Sequence, residues 1–209
     1  MLRSYRTVAR QASAELEVKR SRFLAHVLRV ADEPGARGFV EGLRKEHWDA
    51  RHHCSAFVLG PDARVARSSD DGEPAGTAGA PILEMIRGAG LSDVVVVVVR
   101  YFGGVLLGAG GLVRAYGDAA RAGLEAAGVQ ERRLVDIWEL RVDHAEAARL
   151  EHDLRTRGIE VRSVDYAEQA TLTLSADVDL VEPVRSLTAG TASPVRVGEE
   201  WVDVPGSLA

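Results

Sequence analysis

The chain has 209 residues, enough for two domains of ordinary size. Apolar residues make up 46% and charged residues 27%, which excludes a disordered or low-complexity protein, and aromatics at 5% leave the core to Val, Leu and Ala. The net charge of −5 is uneven: residues 1–128 hold 17 Lys/Arg against 15 Asp/Glu, a net of +2, and residues 129–209 hold 9 against 16, a net of −7.

The N-terminal stretch MLRSYRTVARQASAELEVKR is basic but has no apolar h-region, so it does not read as a secretory signal. Residues 15–30 (ELEVKRSRFLAHVLRV) mix alternating and continuous apolar positions and predict one or two strands. Phe39, Val40 and Leu43 at helical spacing predict a helix over 34–47, with Asp32 as its cap. A short strand follows at 55–60 (SAFVLG), then a turn-rich stretch at 68–80 (SSDDGEPAGTAGA). Pro81 opens a helix that Gly88 and Gly90 stop. The six consecutive valines at 94–99 predict a strand buried on both faces, and they fall far short of the roughly 20 residues a membrane span needs. After RYFGGVLLGAGG comes a helix over 112–127, ended by Gly128.

Beyond Gly128 the pattern is strand 133–142, helix 144–157, strands 159–166 and 170–176, helix 178–189 and strand 194–203. A βαββαβ order of this length is the ferredoxin-like sandwich. The expected fold class is therefore α+β in two domains, 1–130 and 131–209. The single cysteine, Cys54, excludes an internal disulfide and suits a reducing, cytoplasmic compartment.

Three segments carry residues with chemical potential. Five glycines stand within nine residues: Gly103, Gly104, Gly108, Gly110 and Gly111. Each loses extra conformational entropy on folding, so something must require them. One reading is an anion cradle at a helix start, flanked by Arg100 and Arg114; the other is a tight turn that packs the helix on the sheet. Neither a P-loop nor a dinucleotide fingerprint is present.

The second segment is Asp70, Asp71 and Glu73, followed by Pro74 and Thr77. These carboxylates could take a divalent cation or move a proton, or they could cap backbone donors and pair with nearby arginines. The third is His47 to Cys54. It invites a zinc reading but lacks a second ligand pair, so a histidine hydrogen-bonded to the acidic loop suits it better. No nucleophile elbow or complete catalytic constellation appears. No catalytic residue, metal ligand or cofactor is assigned.

Together KRSRFLAHV at 19–27, ARHHCSAFVLG at 50–60, SSDDGEPAGTAGAPIL at 68–83 and VVVVRYFGGVLLGAGGLVRAYGDA at 96–119 resemble the signature of the IMPACT family, in particular its bacterial YigZ-like members. The resemblance covers most of residues 15–127; the second half is similar only in element order and length. It implies a ribosomal-protein-S5-domain-2-like N-terminal β/α sandwich with helices on one side of the sheet. It also implies a likeness of the domain pair to the last two domains of elongation factor G.

The family's shared surface maps onto Asp70, Asp71, Glu73, Thr77, Arg100 and Tyr101 in the first stretch, and onto Gly103, Gly104, Gly108, Gly111, Arg114 and Tyr116 in the second. Tyr101, Phe102 and Tyr116 could stack on bases, with the arginines contacting phosphate, or could equally be core, and Phe102 is expected in the core. The function implied is a non-catalytic nucleic-acid- or ribosome-associated protein in the regulation of translation. Its expected partner is RNA, the ribosome or a translation factor, without a membrane or DNA specificity. The alternatives are an enzyme acting on a phosphorylated small molecule or nucleotide, and a module that binds only protein.

Overall fold

The computed structural model describes residues 2–204 and divides into two units: one takes the residues up to Arg132 and resumes at Val204, and the other is Arg133–Asp203. The expected α+β class, with mixed helices and antiparallel sheets, is what each unit shows. No helix among the described residues is long and apolar enough to cross a membrane.

The first unit opens with β1 (Ser4–Val8), β2 (Ala12–Val18), β3 (Ser21–Arg29) and α1 (Glu33–Glu46). It continues with β4 (His52–Leu59), β5 (Val65–Ser69), α2 (Gly79–Gly88), β6 (Val94–Tyr101) and α3 (Ala109–Ala127). A five-stranded sheet runs in the order β2-β3-β6-β4-β5, with the valine strand β6 at its centre. Burial on both faces follows from period-2 alternation. Val94, Val96 and Val98 pack with α2 and α3, while Val95, Val97 and Val99 pack with Ala36 and Leu43 of α1.

The resemblance implied helices on one side only; here α1 covers the second face. A strand of valines needs apolar cover on both faces, and α1 supplies it through Phe39, Val40 and Leu43. Asp32 caps α1 as expected, its Oδ1 accepting from the Gly35 amide at 2.8 Å. Two strands escape the sequence patterns. β1 is a five-residue segment, and β5 is an exposed edge strand whose VARSS sequence carries no alternating apolar signal.

The second unit takes most of β7 (Val129–Val142), then α4 (His144–Thr156), β8 (Glu160–Tyr166), β9 (Ala170–Ala176), α5 (Val181–Thr188) and β10 (Val195–Asp203). β9 pairs antiparallel with both β7 and β8, and β10 pairs with β7, which is the ferredoxin-like strand arrangement. Alternate residues Trp138, Leu140 and Val142 on β7 face Leu150 and Leu154 of α4 in one core. The opposite face carries Glu139 and Arg141, as a one-sided antiparallel sheet requires.

Candidate functional site

Strand registers in the first unit bring several loops to one end of the sheet. His52 opens β4 opposite Arg100 near the close of β6, Arg22 lies opposite Tyr101, and Val18 meets Ser21 across the β2–β3 turn. Ser69, the last residue of β5, is opposite Ser55. The Lys19–Arg20 turn, the 47–51 loop, the acidic 70–78 loop and the glycine-rich 102–108 loop therefore share that end.

Asp70 is a structural residue. Its Oδ1 accepts from the amides of Ala78 (3.0 Å) and Gly79 (2.8 Å), and its Oδ2 from Gly76 (2.8 Å), so it caps α2 from outside the helix. Burial pushes its carboxyl up, but the three amide donors together outweigh that and hold it below the usual range. A lowered folded-state value contributes stability above the ordinary carboxylate titration and loses it as pH falls through the lowered one. Asp70→Ala is expected to cost about 2 kcal/mol at pH 7 in urea unfolding. Asp70→Asn is expected to flatten the loss of stability below about pH 4, and an acid-side slope unchanged from wild type would disprove the role.

Asp71 stands at φ +43° and is an internal latch. Its Oδ1 accepts from Arg44 at 2.7 Å, its Oδ2 from the His53 amide at 2.7 Å, and its carbonyl from His52 Nδ1 at 2.9 Å. The histidine bonded to the acidic loop is thus His52. His53 is buried, its Nε2 donating to the His47 carbonyl at 3.1 Å, and burial holds its pKa below the usual imidazole value. Thr77 closes the same turn through a 2.6 Å bond to the Pro74 carbonyl.

Glu73 and Arg100 form a buried pair, Nη1 to Oε1 at 2.6 Å, and the Tyr116 hydroxyl donates to the same oxygen at 2.7 Å. Arg100 lies between two rings, its guanidinium carbon 5.4 Å from the Phe23 centroid and 5.6 Å from that of Phe102. Its Nε has no hydrogen-bond partner.

Two expectations about aromatic residues are overturned. Tyr116 is 0% exposed, packed edge-on against Phe23 at 5.1 Å, so it belongs to the core and cannot meet a base. Burial raises its hydroxyl far above the ordinary value, and burial pushes the neighbouring Cys54 thiol up to about 12. Phe102, expected in the core, is 48% exposed. Tyr101 follows Arg100 in the strand and so faces the α1 side, where its hydroxyl meets His47 Nδ1 (3.0 Å) and Asp49 (3.1 Å).

The glycines divide by role. At Gly103 a Cβ would come within 2.0 Å of the Arg20 carbonyl carbon, so this glycine is demanded by close packing on the β2–β3 turn. Gly108, the residue before α3, has φ +73° and ψ 166°, a conformation essentially reserved for glycine. Gly104 is exposed, and Gly111 sits in the first turn of α3 against Leu107.

A cleft of about 370 Å³ opens between the two loops, lined by Arg51, His52, Glu73, Pro74, Arg100, Phe102, Leu106 and Leu107, and by Gly108, Ala109 and Leu112 at the start of α3. Of the expected residues it gathers Glu73, Arg100 and Gly108. Asp70, Asp71 and Thr77 hold the neighbouring acidic turn without lining it, and Tyr101, Gly103, Gly104, Gly111, Arg114 and Tyr116 do not line it either. Arg114 is exposed further along α3.

Sequence reasoning missed four exposed residues at this end: Lys19, Arg20, Trp48 (81% exposed) and Arg51. Lys19 and Arg20 occupy left-handed conformations at φ +47° and +66°, which makes a two-residue hairpin turn that carries both charges outward. The only advance signal was their position between two apolar runs.

Residues 19–124 match the Impact N-terminal domain family, and residues 140–190 match a domain family of unknown function, DUF1949. The chain is similar to the IMPACT family member YvyE of Bacillus subtilis, 42% identical over 80% of this chain and 77% of that one. It is similar also to the IMPACT family member YigZ of Escherichia coli, 40% identical over 72% and 74%. A crystal structure of a hypothetical protein superposes with a TM-score of 0.65 at 32% identity, covering 94% of this chain and 98% of the other. Every segment on which the resemblance rested lies in the matched N-terminal half, and the second half, likened only by its element order, has a matching family of its own: the chain belongs to the IMPACT family.

Proposed function

We propose that the protein is a non-catalytic RNA-binding protein of the cytoplasm that works on or beside the ribosome in the regulation of translation. Its contact surface is the loop end of the first unit's sheet. One observation carries this reading: Lys19, Arg20 and Arg51 at that end, and Arg114 in the second turn of α3 next to it, are exposed cations with no ion pair among the described residues, and they stand with exposed Phe102, Leu106 and Trp48. Unpaired cations keep their whole charge for phosphate, and aromatic faces accept bases irrespective of sequence. The family's likeness to the last domains of elongation factor G supports the ribosome as the source of that RNA.

If all four cations meet phosphates, log K for single-stranded RNA falls against log salt with a slope of about −3. Arg51→Ala and Arg114→Ala are each expected to weaken binding and reduce that slope by roughly 0.7. Phe102→Ala is expected to cost about 1–3 kcal/mol without changing the slope. Filter binding or fluorescence anisotropy across a salt series measures all three. Salt-independent affinity, or affinity indifferent to the arginine pair, would sink the proposal.

A further inference from the structure

The cleft beside the glycine loop has features that surface charge alone does not explain. α3 begins at Ala109 with no side chain capping it, and its first internal bond runs from the Leu112 amide to the Gly108 carbonyl at 2.9 Å. The amides of Ala109, Gly110 and Gly111 thus precede the hydrogen-bonded ladder of a 19-residue helix whose positive end faces the cleft. In the wall of the same cleft Arg100, only 6% exposed, keeps its Nε–H without an acceptor, although Nη1 is taken by Glu73 and Nη2 reaches Ser21 weakly at 3.5 Å. A buried donor left unmatched costs free energy unless something supplies the acceptor. Exposed Arg51 stands at the rim, and Glu73, the one carboxylate in the lining, is already matched by Arg100 and Tyr116.

The rest of the lining is apolar: Pro74, Phe102, Leu106, Leu107 and Leu112. An inorganic ion would leave this wall unused. His52 adds one further preference. Its Nδ1 donates to the Asp71 carbonyl at 2.9 Å, so the neutral ring offers Nε2 as an acceptor, which suits a sugar hydroxyl. At about 370 Å³ the cleft is at the small end of ligand sites and is sized for one nucleotide.

We infer that this cleft is a nucleotide subsite, in which a phosphate group is held by the α3 amides, Arg51 and Arg100 Nε, and the base lies against Phe102 and Leu106. The inference rests on the RNA-binding reading for the identity of the natural ligand, since a free nucleotide and one residue of an RNA strand present the same phosphate, sugar and base.

The test is an amide- and guanidinium-resolved NMR titration of the full chain with AMP, adenosine, inorganic phosphate and a single-stranded RNA octamer. AMP is expected to shift the amides of Ala109, Gly110 and Gly111 together with Arg100 Nε–H, and to bind roughly tenfold more tightly than adenosine or phosphate alone. Ala109→Asp places a carboxylate at the first helical position, where it favours the helix but repels phosphate. That variant is expected to keep its melting temperature and lose at least roughly tenfold in AMP affinity.

AMP that leaves those groups unshifted, or binds Ala109→Asp undiminished, overturns the inference even where RNA still binds through the four cations. Phosphate binding as tightly as AMP overturns the base subsite. AMP binding that follows the expected pattern, with RNA affinity untouched by Ala109→Asp, upholds the cleft as a free-nucleotide site and removes RNA as its ligand, leaving the RNA-binding reading to the four cations.

Discussion

Glu73→Ala is expected to lower the unfolding free energy by about 3–5 kcal/mol, because it leaves Arg100 buried without its counter-charge. Both side chains are almost sealed from water, at 7% and 4% exposure, so little solvent screening softens the loss. The Tyr116 hydroxyl, fully buried, loses its acceptor in the same step. Glu73→Gln keeps a carbonyl oxygen for both donors and removes only the charge, so it is expected to fall between wild type and Glu73→Ala. The double replacement Glu73→Leu with Arg100→Met removes both charges together and is expected to recover most of the loss, as apolar substitutes for buried ion pairs often do. Urea unfolding of the three variants measures the ordering. A Glu73→Ala protein within about 1 kcal/mol of wild type would show that water reaches the pair and screens its charges.

The pair also shows where sequence reasoning stopped. Six valines in a row, the glycines that follow α3 and α4 and the βαββαβ order were readable because each depends on neighbours a few residues apart. Glu73, Arg100 and Tyr116 are 27 and 43 residues distant in their bonds, and nothing local marks them as partners. Tyr101 and Arg100 could have been separated in advance: adjacent strand residues face opposite sides, so both cannot belong to one patch. Phe102 and Tyr116 were exchanged because an aromatic beside a glycine loop fits core and surface equally until the neighbouring packing is known. The acidic turn read as a cluster of three carboxylates has three separate tasks: Asp70 caps a helix, Asp71 ties α1 to β4, and Glu73 neutralises Arg100.

Gly103→Ala tests whether the glycine loop is held in place by packing on the Lys19–Arg20 turn. An added Cβ would lie 2.0 Å from the Arg20 carbonyl carbon, 2.1 Å from its oxygen and 2.4 Å from the Ser21 nitrogen, all backbone atoms that no rotamer change can move. The turn has little freedom to yield, since Lys19 and Arg20 already sit in left-handed conformations and Val18 is registered to Ser21. The loop must therefore lift, which breaks the 3.1 Å bond from the Gly103 amide to Ser21 Oγ and pulls Phe102 from above Arg100. The expected cost is about 3 kcal/mol or more. Gly104→Ala is the control: its φ of +83° makes a side chain strained, but nothing stands within 4 Å, so about 1 kcal/mol is expected. Denaturant unfolding of the two variants separates steric packing from backbone strain. If Gly104→Ala is the costlier, the loop is shaped by its own backbone and not by the hairpin beneath it. If Gly103→Ala is costlier and also lowers RNA affinity, the hairpin that carries Lys19 and Arg20 and the loop that carries Phe102 act as one surface, which is what stacking and charge at a single site require.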